Sequence, residues 1–446
     1  MNEKKEFYIW FIRETKALIP KWVYDKITPI YHFFWAFLGA VVYRNPSKNI
    51  FVIGVTGTKG KTSTVELINN ILKTSGKKTA IISSLRMQVA DNPEIPNKMT
   101  MPGRMILQKF FRDAVKAGCE YVVFEMTSEG AKQFRHKFIY LDAFVFTNIY
   151  PEHIESHGSY EKYLAAKVSL GESLNKGIKK ETYVFVNTDA NDSDSFIELK
   201  ATHKIPYSIS DAEPFEIQPS LEVFTFKGVQ ISTRLKGKFN IYNALAAATC
   251  THELGIPIEE IKKGIEGVEY IPGRMQRIIV NDRHGKPYKD FDVYVDYAHT
   301  PDSLKKACGA LSGTPIICIL GSAGGGRDKW KRPIIGKISV DYCKKIILTT
   351  DDPYDEDVSD INKDILRGVD IANKDRTKNG KEPIPSEEIE DRKEAIRTAI
   401  REAKKGDAVL ITGKGADTYY WGPRGKRIPW SDIVETKKLL ERHINR

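Results

Sequence analysis

From Asn49 onward the chain alternates short apolar runs with stretches whose apolar residues recur at helical spacing. "NIFVIGV", "KTAIIS", "EYVVFEM", "AFVFTNI" and "TYVFVN" are rich in Val, Ile and Phe. Runs of that kind read as strands buried on both faces, because a half-buried strand would alternate apolar with polar residues. A second series follows in "FDVYVDYAHT", "PIICILGSA", "KKIILTTDD" and "AVLITGKG". The rhythm predicts two α/β domains, each built on a largely parallel sheet. Pro272 and Gly273 in "YIPGRMQRI" (270–278) break the pattern between the two series and place the junction there. The expected division is a short apolar and basic segment over 1–48, a central domain over 49–272 and a C-terminal domain over 273–446. "NKDRTKNGKEPIPSEEIEDRKEAI" reads as a charged surface loop leading into a helix.

Ahead of the first strand, residues 30–43 form an aromatic run, "IYHFFWAFLGAVVY", with Lys21 and Lys26 before it and Arg44 and Lys48 after it. A bilayer crossing takes ~20 apolar residues, and this run is shorter. It also starts late for a signal peptide, and no small-residue cleavage site follows it. Two readings stay open: a helix lying on a membrane surface, and a helix packed on the protein's own body.

Composition narrows the class. With 446 residues the chain exceeds what one core holds, and 41% hydrophobic with 28% charged residues excludes disordered and collagen-like classes. A net charge of +11, from 69 Lys+Arg against 58 Asp+Glu, favours anionic partners or is simply a solvated basic surface. No nucleic-acid-binding signature accompanies it, so nucleic acid is not expected as a partner. The cysteines (Cys119, Cys250, Cys308, Cys318, Cys343) are odd in number, scattered and without a C-x-x-C pair. They read as free thiols in a reducing, cytoplasmic compartment, with neither a disulfide framework nor a zinc site.

The first strand runs into a bend, Gly54–Val55–Thr56–Gly57–Thr58–Lys59–Gly60–Lys61–Thr62, and then into a helical pattern. Glycines let backbone N–H groups converge on an anion, the helix turns its positive end towards it, and a lysine reaches terminal phosphates. A nucleoside triphosphate fits such a bend, with the Thr62 hydroxyl placed for Mg²⁺. Val55 stands where the strict pattern G-x-x-x-x-G-K-[ST] has its first glycine, so this is a variant loop. A phosphate loop needs polar partners at neighbouring strand ends. Glu125 ends "YVVFEM", and "FTNIYPEHIESHGSYEKYLAAK" supplies Asn148, Glu152, His153, His157 and Lys167. Taken alone, a strand-ending Glu is a solvated cap, His157 is structural or exposed, and Lys167 is a surface lysine on an amphipathic helix.

The ordered set "TGTKGKT", "EMTSEG", "TNIYPEHIESHGSYEKYLAAK", "GKFNIYNALAAA", "IPGRMQ", "DYAHTPDSL", "GSAGGGRDKWKRP", "DDPYDED", "DRKEAI" and "GKGADTY" resembles the Mur ligases over roughly residues 49–446. Within them it is most similar to the UDP-N-acetylmuramoyl-tripeptide synthetase branch. The resemblance implies a P-loop-type central ATPase domain with a mainly parallel sheet, followed by a Rossmann-like C-terminal domain. It implies that ATP phosphorylates a substrate carboxylate and that an amine captures the acyl phosphate. Lys61, Glu125, His153 and Lys167 would be catalytic. Thr62, Glu125, His153 and Lys167 would serve two Mg²⁺ ions, Lys167 as a carbamylated lysine. Gly57, Thr58, Gly60, Lys61, Thr62, Ser63, Asn243, Arg274, Asp296, His299 and Arg327 would hold the nucleotide. Ser128, Asn148, Asp352, Tyr354, Asp355, Lys414 and Asp417 would meet a muramyl-peptide or related carboxylate and the amino acid.

The sequence departs from the family pattern in places. Fewer than fifty residues precede the central domain, where the family carries a domain that grips the uridine nucleotide. The acceptor is therefore left open as UDP-linked, lipid-linked near a bilayer, or bound through a partner. Tyr354 in "DDPYDED" stands where diaminopimelate-adding members carry an arginine, and Asp355, Glu356 and Asp357 suit a distal ammonium such as that of lysine or ornithine. Ala416–Asp417 replaces His-Glu, and Glu152 replaces aspartate. The expectation is an ATP-dependent acid–amino-acid ligase of the cytoplasm, peripheral at the inner membrane face if residues 30–43 lie on lipid. The alternatives are a folylpolyglutamate- or polyglutamate-type synthetase and a non-catalytic nucleotide-binding scaffold at the membrane.

Overall fold

The computed structural model describes residues 21–97, 99–152, 154–174, 177–218, 221–326 and 328–444, with side chains from residue 26. His153 and Arg327 lie outside the described residues. The first apolar series becomes an eight-stranded sheet in the order β4-β3-β2-β5-β1-β6-β7-β8. Its strands are β1 (Phe51–Thr56), β2 (Thr79–Ile82), β3 (Arg86–Val89), β4 (Ile95–Pro96), β5 (Tyr121–Glu125), β6 (Ala143–Phe146), β7 (Tyr183–Asn187) and β8 (His203–Tyr207). All neighbours pair parallel except β2–β3 and β3–β4. Each central strand is apolar on both faces because both are covered. Ile53, Val55, Ile81, Val123 and Val145 enter one core, while Val52, Ala80, Val122, Phe124 and Phe144 enter the other. Burying one such side chain stabilises by about 1.5–3 kcal/mol, so the alternation fixes register as well as layer.

Helices α1 (Lys21–Val42), α2 (Lys61–Thr74), α3 (Arg104–Lys116), α4 (Tyr160–Gly171), α5 (Lys238–Glu253) and α6 (Ile258–Glu266) accompany this sheet. A small antiparallel sheet, β9 (Phe215–Ile217), β10 (Glu222–Phe226) and β11 (Val229–Thr233), joins the same core through Phe224, Phe226 and Ile231. The second series builds a six-stranded sheet, β12-β13-β17-β14-β15-β16. It contains β12 (Gln276–Arg277), β13 (Asp292–Val295), β14 (Ile316–Leu320), β15 (Cys343–Leu348), β16 (Ser386–Glu388) and β17 (Ala408–Ile411). Only β12 runs antiparallel to its neighbour. Helices α7 (Pro301–Gly309), α8 (Lys331–Tyr342), α9 (Val358–Lys378), α10 (Arg392–Glu402) and α11 (Asp432–Ile444) surround it, and a hairpin of β18 (Tyr419–Trp421) and β19 (Arg427–Pro429) follows β17.

Three expectations change. The N-terminal helix is already formed at Lys21, the first described residue, well ahead of Ile30, and carries Pro29 inside it. The segment expected as a charged loop leading into a helix does run into the start of α10, but its loop part also contains the end of α9 and the edge strand β16. Cys318 and Cys343 are joined by a disulfide with their Cα atoms 6.0 Å apart, whereas Cys119, Cys250 and Cys308 are free. Neighbouring parallel strands bring these two side chains to one face of the sheet, which separation along the chain cannot show. The inference from free thiols to a reducing compartment thereby loses its premise.

Candidate active site

β1, β5 and β6 end side by side, at the edge of an open α/β sheet where ligands gather. The bend after β1 is shaped by two positive-φ glycines. A Cβ on Gly57 (φ 152°) would come 2.0 Å from Thr147 Oγ1, and one on Gly60 (φ 84°) 2.3 Å from Asn243 Oδ1. Gly60 caps α2 without a side-chain hydrogen bond, so the positive end of the helix faces the bend. Asn148, expected at the substrate, lines the cavity and also clamps the loop. Its Oδ1 accepts from Lys59 N at 2.9 Å and its Nδ2 donates to Lys59 O at 3.0 Å. Thr147 Oγ1 donates to the same carbonyl at 2.8 Å.

Charge concentrates inside this clamp. Lys61 Nζ donates to the carbonyls of Gly57 and Thr58 at 2.9 and 3.0 Å. Burial lowers its pKa, and Glu125 and Glu152 oppose that fall. Glu125 is fully buried and accepts from the Ser84 backbone N–H at 2.5 Å and the Ser84 hydroxyl at 3.1 Å. Burial raises its pKa, and Lys61 does most to pull it back. Lys167, reached from α4, is 2% exposed and donates to the same Gly57 carbonyl at 2.8 Å. Its pKa falls well below the usual lysine value, first through burial and then through the charge of Lys61. A buried ammonium beside another ammonium is the setting in which a lysine becomes a neutral amine.

The second lobe closes over the first. Arg274 Nη2 donates to Thr62 Oγ1 at 3.4 Å, and its guanidinium lies 4.5 Å from the centre of the Tyr297 ring. His299 Nε2 is 3.5 Å from Glu152 Oε1, and Glu152 also takes Lys59 Nζ at 2.9 Å. Burial, then the charge of Lys59, drives the His299 pKa down to about 4. Further along, Glu155 Oε2 accepts from Asp328 N at 2.9 Å. Asp296 is committed to backbone, accepting from Met275 N at 2.7 Å and Ala298 N at 2.8 Å. Between the lobes lies a cavity of about 700 Å³. Thr58, Gly60, Lys61, Thr62, Ser63, Glu125, Asn148, Asn243, Arg274, Asp296 and His299 all line it. Lys167 and Ser128 are not on its wall. Ser128 is buried and lies 3.2 Å from His157 Nε2.

The residues expected to select the amine form a separate cluster in the second lobe. Lys414 is 1% exposed and lies 2.8 Å from Asp352, 3.3 Å from Asp417 and 3.8 Å from Asp351. Burial would lower its pKa, but these carboxylates raise it. Asp351 is pushed up to about 6 by burial. Tyr354 stacks on Trp421 with ring centres 6.0 Å apart and donates its N–H to the Trp421 carbonyl at 3.0 Å. The acidic run is not uniform in use. Glu356 accepts from Gly326 N, Lys329 and Arg332, and Asp357 caps α9 through Ser359 N. Asp355 accepts from Arg424 N at 2.6 Å, so each of the three carboxylates expected to suit a distal ammonium already holds a partner, which corrects that expectation, and Asp355 and Asp357 are the exposed ones. Sequence reasoning passed over Lys59, Ser84, Tyr163 and Lys331. Lys59 is the first lysine of "TGTKGKT", and Tyr163 hydrogen-bonds Thr58 Oγ1 at 2.8 Å.

An acidic, hydroxyl-bearing group facing a lysine-rich loop suits a hard cation with a polyphosphate. Residues 55–251 match the Mur ligase middle domain, and residues 273–415 match the Mur ligase glutamate ligase domain. The chain is 34% identical over 413 residues to UDP-N-acetylmuramoyl-L-alanyl-D-glutamate--2,6-diaminopimelate ligase of Halalkalibacterium halodurans, covering 90% of this chain and 80% of that one. A solved structure of an enzyme with that name aligns at TM-score 0.59 and 26% identity over 89% of this chain and 79% of the other. The ADP complex of Mycobacterium tuberculosis folylpolyglutamate synthase aligns at TM-score 0.63 and 15% identity over 85% of this chain and 91% of that one, a likeness of fold.

Proposed function

The chain belongs to the Mur ligase family, and we propose on that footing that its inter-lobe cavity joins a muramyl-dipeptide carboxylate to the amine of an amino acid at the expense of ATP. The observation that carries this reading is the meeting of Lys61, Thr62 and Glu125 with Arg274 and His299, from opposite lobes, around one cavity. The working division is 1–48, 49–272 and 273–446.

The chemistry is a charge problem. A carboxylate is a poor electrophile, and an acceptor oxygen must attack the γ-phosphorus while ADP departs. The amine nitrogen then attacks the acyl carbonyl, a proton is lost, and the C–O bond to phosphate breaks. Lys61 and the N-terminus of α2 stabilise the triphosphate, and Arg274 adds charge from the second lobe. Asn148 keeps Lys59 and the loop in place for that geometry. Thr62 and Glu125 fit a Mg²⁺ ion, since both offer hard oxygen atoms beside Lys61. Such an ion neutralises phosphate charge. His153 is the candidate for a second ion. Lys167 attacks CO₂ as a neutral amine: an N–C bond forms as one C=O π bond opens onto oxygen, a proton leaves the nitrogen, and the neutral amine becomes an anionic oxygen donor.

Gly57, Thr58, Gly60, Ser63, Asn243, Asp296, His299 and Arg327 complete the nucleotide site. Ser128, Asp352, Tyr354, Asp355, Lys414 and Asp417 form the acceptor and amine side. Because Tyr354 brings no positive charge and Asp355 is exposed near it, a distal ammonium is preferred to a distal carboxylate. The finer placement belongs to the same reading: cytoplasmic, and peripheral at the inner membrane face through residues 30–43.

The test is product mass. Purified protein, ATP, Mg²⁺ and a muramyl-dipeptide nucleotide are incubated with lysine, ornithine, diaminopimelate and glutamate in separate reactions. We expect a lysine or ornithine adduct with stoichiometric phosphate, lowered about 10²–10³-fold or more in Lys61→Ala. Amine-independent phosphate release with no adduct contradicts the reading.

A further inference from the structure

Helix α1 is built the wrong way round for a solvated helix. Its small residues face the protein: Ala36 and Ala40 are each 1% exposed, and Gly39 lies so close to α3 that a Cβ there would meet Met105 Sδ at 3.1 Å. Phe33 and Phe37 reach sideways to the Phe138 ring at 5.4 and 5.8 Å. The large side chains of Ile27, Ile30, Tyr31, Phe34, Val41 and Val42 point to solvent, each more than half exposed. No charged residue interrupts positions 27–43. A surface helix with nothing to cover it normally carries charge on its outer face.

Basic residues surround this ridge. Lys26, Arg44 and Lys48 are exposed at its two ends, and no Asp or Glu occurs between Asp25 and Glu66. Among the described residues no helix is long and apolar enough to cross a membrane. With one face fixed to α3, α1 cannot insert end-on without leaving the domain. A second copy of the chain is a poor occupant, because pairing two such ridges antiparallel brings Lys26 of each towards the Arg44–Lys48 end of the other. An anionic bilayer offers both complements at once, acyl chains for the ridge and headgroup charge for its rim.

We propose that α1 docks in the plane of an anionic lipid surface through Ile27, Ile30, Tyr31, Phe34, Val41 and Val42, with Lys26, Arg44 and Lys48 contacting headgroups. This deepens the peripheral placement given above, and the chemistry of the inter-lobe cavity does not depend on it.

Full-length protein is mixed with vesicles of phosphatidylglycerol or of phosphatidylcholine and pelleted, with sedimentation velocity of the lipid-free protein alongside. The expected result is salt-sensitive binding to phosphatidylglycerol that exceeds binding to phosphatidylcholine. Ile30→Glu with Phe34→Glu should cut the bound fraction at least about tenfold, as should Arg44→Glu with Lys48→Glu. Melting temperature and product formation on a soluble acceptor should stay unchanged in both variants. Absence of binding, or equal binding to both vesicles, overturns the proposal. A lipid-free dimer dissolved by Ile30→Glu/Phe34→Glu, without vesicle binding, assigns the ridge to a second copy. Failed product formation with intact vesicle binding counts against the catalytic reading alone.

Discussion

Lys61 and Lys167 both donate to the carbonyl oxygen of Gly57, at 2.9 and 2.8 Å. Such crowding holds Lys167 towards its neutral form, the form that reacts with CO₂. Turnover should therefore rise with added bicarbonate in the native protein. Lys167→Ala should lose both turnover and the bicarbonate response, while keeping its melting temperature within a few degrees. Bicarbonate-independent turnover would show that the amine serves unmodified. Lys167 also marks a limit of sequence reading. Its helix pattern makes it an ordinary surface lysine, and only the packing of α4 against the bend reveals that it is buried. Asn148 shows the converse: the sequence places it correctly near the loop, but its amide is spent on Lys59, which no spacing rule discloses.

At the level of elements, strands β1, β5, β6, β13, β14 and β17 are readable because each is a continuous apolar run with both faces covered. β16 is not, because "SEE" at a sheet edge has the composition of a loop. The extension of α1 ahead of Ile30 is masked in the sequence by Pro29, which signals a boundary that the helix passes through. "DRKEAI" looks like a site motif, yet it works as scaffold. Arg392 makes a paired contact with Asp432 at 2.7 Å through both nitrogens and also donates to the carbonyls of Thr350 and Thr412. These bonds tie α10 and α11 to the ends of β15 and β17, beneath the Asp351–Lys414 cluster. Removing one partner of a buried pair strands the other. Arg392→Ala should cost about 3–5 kcal/mol in urea unfolding, and a loss under about 1 kcal/mol would show the pair to be dispensable.

For the whole molecule, the question is how the lobes are held together. His299, with Glu152 opposite, is one of the bridging groups, and its pKa of about 4 lies below the ordinary 6.5. In the unfolded chain it takes a proton first. Its contribution is therefore fully present above about pH 6.5 and is lost as pH falls towards about 4. Thermal unfolding across that window should fall less steeply in His299→Asn than in the native protein, and identical profiles would remove His299 from the lobe contact. The two-lobed plan was legible from the two strand series. The inter-lobe pair was not, since Glu152 and His299 are remote in sequence and, although the resemblance places His299 at the nucleotide, no motif matches it to Glu152.

The central claim, transfer of phosphate to a carboxylate before amide formation, is tested most directly by isotope. An acceptor labelled with oxygen-18 in the reacting carboxylate is turned over with ATP and the preferred amine, and the released phosphate is analysed by mass. Passage through an acyl phosphate predicts that each phosphate carries one labelled oxygen from the acceptor. Phosphate free of label, formed alongside the amide product, would contradict it.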